Sequence, residues 1–246
     1  MLQQEVAPGI HRIEDAYVNW YLVEADGALT IVDAGVPASW RSFVAALNTL
    51  ERSPADVAAM VLTHAHFDHI GIAEQVRMRF GVPIYVHEND VPLTKQPRLY
   101  SHERRRLPYF ATQVQALPVV ASLLASGAFW PSPIGDVVRF RDGRLDVPGG
   151  PVVVPTPGHT IGHVALHFPD RDTVIAGDAV VTFDPYVAKR GPQIVSRAAT
   201  ADSQRALESL DALAATGART VLTGHGDPWT NGAEAIVERA RTAPLT

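Results

Sequence analysis

The apolar run Val57–Thr63 ends directly in His64-Ala65-His66-Phe67-Asp68-His69, three imidazoles and a carboxylate within six residues. Chance places such a pattern in a chain of this composition about once in a thousand. Ile72 to Phe80 then resumes a helical spacing closed by Gly81, so the cluster is predicted on a loop from a strand to a helix. Alternate residues of an extended segment point to one side. His64 and His66 can therefore offer ring nitrogens to one ion, while Asp68 and His69, just past the strand end, can turn toward a second. Cysteine is absent, so any metal is held by nitrogen and oxygen, and disulfide scaffolds, thiol catalysis, iron–sulfur clusters and thiolate zinc sites are excluded. Imidazole with carboxylate suits zinc, iron or manganese.

The surroundings of the motif alternate between strands and helices. His11 to Gly35 has β-branched and aromatic runs with Asp26-Gly27 between two of them, which predicts two or three antiparallel strands. Pro37 and Ser39 open a first helix to Leu50, with Trp40, Phe43, Val44 and Leu47 on one face. Pro83–His87 is a further short strand. Residues 91–135 differ in character: Lys95, Arg98, Arg104, Arg105 and Arg106 stand against Glu103 alone, a formal +4 in a chain of net −5. Phe110, Val114, Leu117 and Leu124 recur at helical spacing there, with Pro118 expected to end or kink the first helix, so the stretch reads as an inserted helical segment. From Val137 onward strands return, then a helix over roughly Asp202 to Thr216, then a strand into His225, repeating the plan of the first half.

No low-complexity linker divides the halves, so residues 1–246 are expected to form a single domain. At 46% hydrophobic and 19% charged residues, disorder and coiled coil are excluded. The acidic balance argues against a nucleic-acid partner. Neither a secretory leader in Met1–Ile10 nor an 18-residue apolar run is found, so no membrane association and a cytoplasmic location are expected.

Four segments together, His64-x-His66-x-Asp68-His69, Pro157-Gly158-His159-Thr160, Gly177-Asp178 and Gly224-His225-Gly226, resemble the metallo-β-lactamase fold superfamily. The resemblance implies an α/β (α+β) fold, a four-layer αββα sandwich, here with the helical insertion at about 91–135. It implies one metal held by His64, His66 and His159, a second held by Asp68, His69 and His225, and Asp178 bridging both, with water or hydroxide as the remaining bridge. Two divalent ions are expected, zinc first, with iron or manganese also suited. Asp68 is the expected catalytic residue, orienting the hydroxide or carrying its proton to the leaving group. Asp33 resembles the family aspartate that hydrogen-bonds the ligand loop, its alternative being a turn cap. His163 reads as a ligand-orienting partner or a satisfied core histidine, and His11, His87, His102 and His167 as structural or surface residues.

Within the superfamily, His66 in place of an acid argues against the flavodiiron branch. The absence of cysteine and the aspartate at 178 resemble the glyoxalase II and lactonase branch. The tyrosine that acyl-homoserine-lactone lactonases place three residues after the bridging aspartate is Val181 here. The expected activity is dinuclear metal-dependent hydrolysis of a small-molecule thioester, lactone or related ester or amide. A mononuclear-iron persulfide dioxygenase is the alternative, followed by a metallo-nuclease or phosphodiesterase and by a non-enzymatic binding protein. The substrate would be anionic if Arg104 to Arg106 face the site. The insert can serve as a lid, as the face of a homodimer, or as a basic helix packed on the core. Phe183–Pro192 is a second candidate wall, through Tyr186, Lys189 and Arg190.

Overall fold

The computed structural model describes residues 1–105, 109 and 112–246. Arg106 and Phe110, both named above, lie outside the described residues. Seven strands form one sheet in chain order: β1 (Leu2–Ala7), β2 (Ile10–Asp15), β3 (Val18–Ala25), β4 (Ala28–Val32), β5 (Val57–Val61), β6 (Ile84–His87) and β7 (Val138–Phe140). Pairing is antiparallel from β1 to β4 and parallel from β4 to β7. The change follows from the connections, because tight turns such as Asp26-Gly27 serve antiparallel neighbours while parallel ones need crossovers. Helices α1 (Trp40–Thr49) and α2 (Ala73–Phe80) supply the crossovers into and out of β5. Gly81 closes α2 in the left-handed region at φ 70°.

The second sheet runs β14–β11–β10–β9–β8, from β8 (Gly143–Arg144), β9 (Val152–Pro155), β10 (Val164–Phe168), β11 (Thr173–Gly177) and β14 (Thr220–Thr223). β12 (Val181–Asp184) and β13 (Lys189–Gln193) make a separate hairpin. Short helices α3 (Val91–Lys95) and α4 (Leu117–Ala125) occupy the insert, and α5 (Ser203–Ala214) and α6 (Ala233–Thr242) follow the hairpin and β14.

Alternation along each strand builds the layers. Val61 of β5 and Tyr21 and Val23 of β3 meet Leu166, Phe168 and Ile175 between the sheets, whereas Met60 faces Phe43 and Leu47 of α1 and Val76 of α2. On the far side, Val174 and Val221 pack on Leu210, Leu213, Ile236 and Val237 of α5 and α6. The order is therefore helix, sheet, sheet, helix, the αββα sandwich that the motif set implied. Among the described residues no helix is long and apolar enough to cross a membrane.

Three local expectations need correction. Val44 is exposed and Ala46 takes its place beside Phe43 and Leu47, a narrower buried stripe than the spacing suggested. Pro118 opens α4 instead of breaking a helix, sitting in the first turn where a missing N–H leaves nothing unsatisfied. With that start, Val119 and Leu123 point inward at i, i+4, and Val114, Leu117 and Leu124 are exposed. The Phe183–Pro192 stretch, a candidate wall with an ordinary loop as its alternative, is most of the β12–β13 hairpin and no ordinary loop.

Candidate metal centre

β5 ends at Val61, β9 at Pro155, β11 at Gly177 and β14 at Thr223, and the residues just past these ends meet at one edge of the sandwich. Backbone bonds fix the loops: Ala34 N–H donates to His69 O at 2.7 Å, Val164 N–H to Thr63 O at 2.9 Å and Asn19 N–H to Gly224 O at 2.8 Å. The last approach requires glycine at 224, since an added Cβ would lie 2.0 Å from Asp178 Oδ1.

All seven residues predicted from sequence come together. One donor atom from each of His64, His66 and His159 lies within 4.8 Å of the others, and the same holds for Asp68, His69 and His225. Asp178 faces both groups: its Oδ2 is 3.3 Å from Nε2 of His159 and of His225, and its Oδ1 is 3.7 Å from Nε2 of His69. All seven are buried, Asp68 least, at 8% exposed.

Hydrogen bonds at Nδ1 set the ring orientations. His225 Nδ1 donates to Tyr17 O at 2.7 Å, and His69 Nδ1 lies 3.2 Å from Asp33 Oδ2. His64 Nδ1 reaches Thr63 Oγ1 at 3.0 Å, and His159 Nδ1 reaches Thr200 Oγ1 at 3.2 Å. Protons on these Nδ1 atoms leave the Nε2 lone pairs facing the centre. There, Nε2 of His64, His66, His69 and His159 and Oδ1 of Asp178 are buried without a hydrogen-bond partner. A buried polar atom left unpaired costs about 1–3 kcal/mol, so five clustered in one place fit bound cations far better than an empty polar pocket.

The electrostatics point the same way. Burial holds His64 and His66 well below the usual imidazole range and His159 down at about 4, keeping them neutral as ligands must be. His69 behaves oppositely: burial opposes its charge, but Asp178, Asp68 and Asp33 outweigh it and raise the pKa to about 10. His225 is raised for a similar reason, burial being overcome chiefly by Asp178. A spot whose carboxylates stabilise a proton on an imidazole stabilises a metal cation as well.

Asp33 is no turn cap. Its Oδ1 accepts from Thr63 N–H at 2.8 Å and its Oδ2 from Thr63 Oγ1 at 2.8 Å, besides the bond to His69, and it holds a left-handed φ of 59°. Non-glycine residues persist there only when surrounding contacts dictate it. Asp33 clusters closely with His64 and His69, but these hydrogen bonds already occupy its carboxylate. His163 is likewise a supporting residue, with Nδ1 on Thr156 Oγ1 at 2.8 Å and Nε2 accepting from Asp178 N–H at 3.0 Å.

Sequence reading missed Asp90. Its Oδ2 accepts from Ala65 N–H at 3.1 Å and Thr160 Oγ1 at 2.8 Å, and its Oδ1 from Gly162 N–H at 2.8 Å, so one carboxylate ties the His64–His66 loop to the His159 loop. Its only sequence signal is its place just after β6, on the same sheet edge as the motif. Tyr100 was missed too: its ring centroid is 4.0 Å from that of His66, and its hydroxyl is 2.8 Å from that of Tyr186. Of the arginine run, Arg104 and Arg105 are described, and both stand away from the seven. Arg104 lines a 640 Å³ surface cavity with Lys189 and Thr246 that includes none of the seven, and Arg105 is exposed.

Comparison with known proteins gives a consistent picture. The profile described as "Metallo-beta-lactamase superfamily" matches residues 13–225. The chain is 29% identical to the probable metallo-hydrolase YflN of Bacillus subtilis, covering 92% of this chain and 87% of that one. Among solved structures, the metallo-beta-lactamase family protein TTHA1429 from Thermus thermophilus superposes with a TM-score of 0.67 at 26% identity, covering 95% of this chain and 77% of that one. TTHA1623 in a di-iron-bound form superposes with a TM-score of 0.64 at 27% identity, covering 91% and 95%.

Proposed function

Because the chain belongs to the metallo-β-lactamase superfamily, we propose that it is a dinuclear metal-dependent hydrolase of small-molecule thioesters, lactones or related esters, nearest the glyoxalase II and lactonase branch. The observation that carries this reading is Asp178, whose Oδ2 lies 3.3 Å from His159 of one group and from His225 of the other, beside Nε2 atoms of His64, His66, His69 and His159 that are buried without a partner. In this reading His64, His66 and His159 hold one ion, Asp68, His69 and His225 hold the other, and Asp178 reaches both. Zinc is the expected ion, and the di-iron form of TTHA1623 supports iron as the alternative. Bound here, two divalent ions would lower the pKa of water toward neutrality and polarise a carbonyl oxygen.

The protein's own groups do the rest. Asp33 and Thr63 hold His64 and His69 in one tautomer, and His163 holds the backbone of Asp178. Asp68, the most accessible of the seven, lines a small cavity with Phe67, Phe129 and Tyr186. Its carboxylate can therefore carry a proton from the attacking water toward a leaving group, a role that needs no serine or cysteine nucleophile.

The test is purification without chelator, elemental mass spectrometry, and assay of the same sample against a thioester, a lactone, a β-lactam and a phosphodiester. About two ions per chain with thioester or lactone hydrolysis is expected. One iron per chain with oxygen uptake on a persulfide would overturn the reading in favour of a dioxygenase, and phosphodiester cleavage alone would point to a nuclease. Asp68→Asn is expected to keep both ions while kcat falls about 100-fold or more. Full activity with both ions present would remove Asp68 from the proton path.

A further inference from the structure

Exposed apolar side chains are ordinary when scattered, but a pair flanking one cavity calls for a reason. Leu99 and Ile161 are 73% and 68% exposed, and both line a cavity of 160 Å³ whose floor includes His66 and His159. Leu93 and Tyr100 continue its apolar wall. Among the described residues lining it there is no lysine or arginine, and the one charged group is Asp90, a carboxylate whose oxygens already accept three hydrogen bonds. A carboxylate at the far end of a bound chain would lie among Leu93, Leu99 and Ile161 with no lysine or arginine of this lining to meet it. An alkyl chain would instead cover Leu93, Leu99 and Ile161 and rest against the Tyr100 ring.

Size limits that chain. Water occupies about 30 Å³ in the liquid, so 160 Å³ accommodates about five heavy atoms. The partition beyond is Tyr100 itself: its hydroxyl meets that of Tyr186 at 2.8 Å, and Tyr186 lines the different cavity that contains Asp68.

We propose that the cavity between His66, His159 and the Leu99–Ile161 rim is the acyl subsite, and that it selects a short, uncharged aliphatic acyl group whose alkyl chain has about five carbons. The assignment rests on the hydrolase reading above and replaces the anionic substrate that the arginine run suggested. It places substrate choice on Leu93, Leu99 and Ile161, with Tyr100 as the wall that limits length.

The experiment has a binding arm and a turnover arm on the metal-loaded protein. In ligand-observed NMR, hexanamide is expected to bind at least tenfold more tightly than acetamide and than adipamate, which carries a carboxylate at the chain end. Ile161→Lys, at an exposed position, is expected to reverse the order of hexanamide and adipamate. In turnover, the ratio of kcat/KM for hexanoyl over acetyl thioester is expected to fall about tenfold in the Leu99→Ala/Ile161→Ala double variant. Equal binding of hexanamide and adipamate, or a ratio indifferent to the double variant, would overturn the subsite. Hexanamide binding with no turnover of any thioester or lactone would overturn the hydrolase reading and leave the subsite standing.

Discussion

The two ligand groups at the sandwich edge, three histidines in one and an aspartate with two histidines in the other, are held in opposite electrostatic states. His64 and His159 are oriented by threonine hydroxyls, and burial drives both of them and His66 toward neutrality. Around His69 and His225 the carboxylates of Asp33, Asp68 and Asp178 overcome the same burial. Depth in the protein therefore does not decide the charge of a buried imidazole; the balance of nearby carboxylates against neighbouring imidazoles does, since His159 and His225 both lie 3.3 Å from Asp178 and shift in opposite directions. The first group offers lone pairs to an ion and little countercharge, whereas the second offers both. An ion at the proposed second position would thus be held chiefly by charge.

Variants can break or sharpen that contrast. Asp178→Ala removes the carboxylate common to both groups and is expected to abolish two-ion stoichiometry and lower kcat/KM by about 1000-fold, measured by elemental analysis beside steady-state kinetics. A second aspartate, Asp184, shows what burial does without imidazolium neighbours on every side. Its pKa is pushed up to about 6 by burial, while Asp178 is held well below the usual carboxylate range because His225 and His69 outweigh its burial. Folded Asp184 thus keeps a proton that the unfolded chain has already released. Its stabilising contribution is full below about pH 4 and is lost as pH rises through 6. Urea unfolding is expected to show wild type losing up to about 3 kcal/mol relative to Asp184→Asn between pH 4 and pH 7, and a constant difference would refute it.

Two supporting carboxylates then separate the ion positions. Asp33→Asn, which keeps the left-handed φ accessible, deprives His69 of its charged acceptor, and chelator competition is expected to show the second ion weakened about 10- to 100-fold and the first much less. Asp90→Asn puts an amide where Ala65 N–H and Thr160 Oγ1 donate, and is expected to weaken the first ion by about tenfold with the second near wild type. Equal losses at both positions in either variant would mean that the two groups act as one unit.

How much of this was legible in the sequence depends on range. His64, His66, Asp68 and His69 could be read directly, because four ligands on one loop announce themselves by spacing. His159, Asp178 and His225 were carried by resemblance, since nothing local to any of them says which distant loop it meets. Asp90 gave no such signal, because its partners Thr160 and Gly162 lie some seventy residues away and only the packing of β6 beside β5 brings them close. Strand and helix order was legible from periodicity in the sheets, where burial on one or both faces imposes it. It failed in the insert, where Val114, Leu117 and Leu124 share a helical spacing and yet face outward.

One feature of the topology bears on how a working molecule comes into being. His225 follows β14, the last strand, which pairs parallel to β11 only after α5 has crossed over. At roughly 5–20 residues per second, a ribosome delivers His225 roughly ten to thirty seconds after His69. The proposed second ligand set is not complete until β14 has joined the second sheet, so filling it would be a maturation step that follows synthesis. Since selectivity among first-row metals rests on geometry, ligand type and availability more than on raw affinity, any ions taken up at that stage would reflect what the cell had free at that moment.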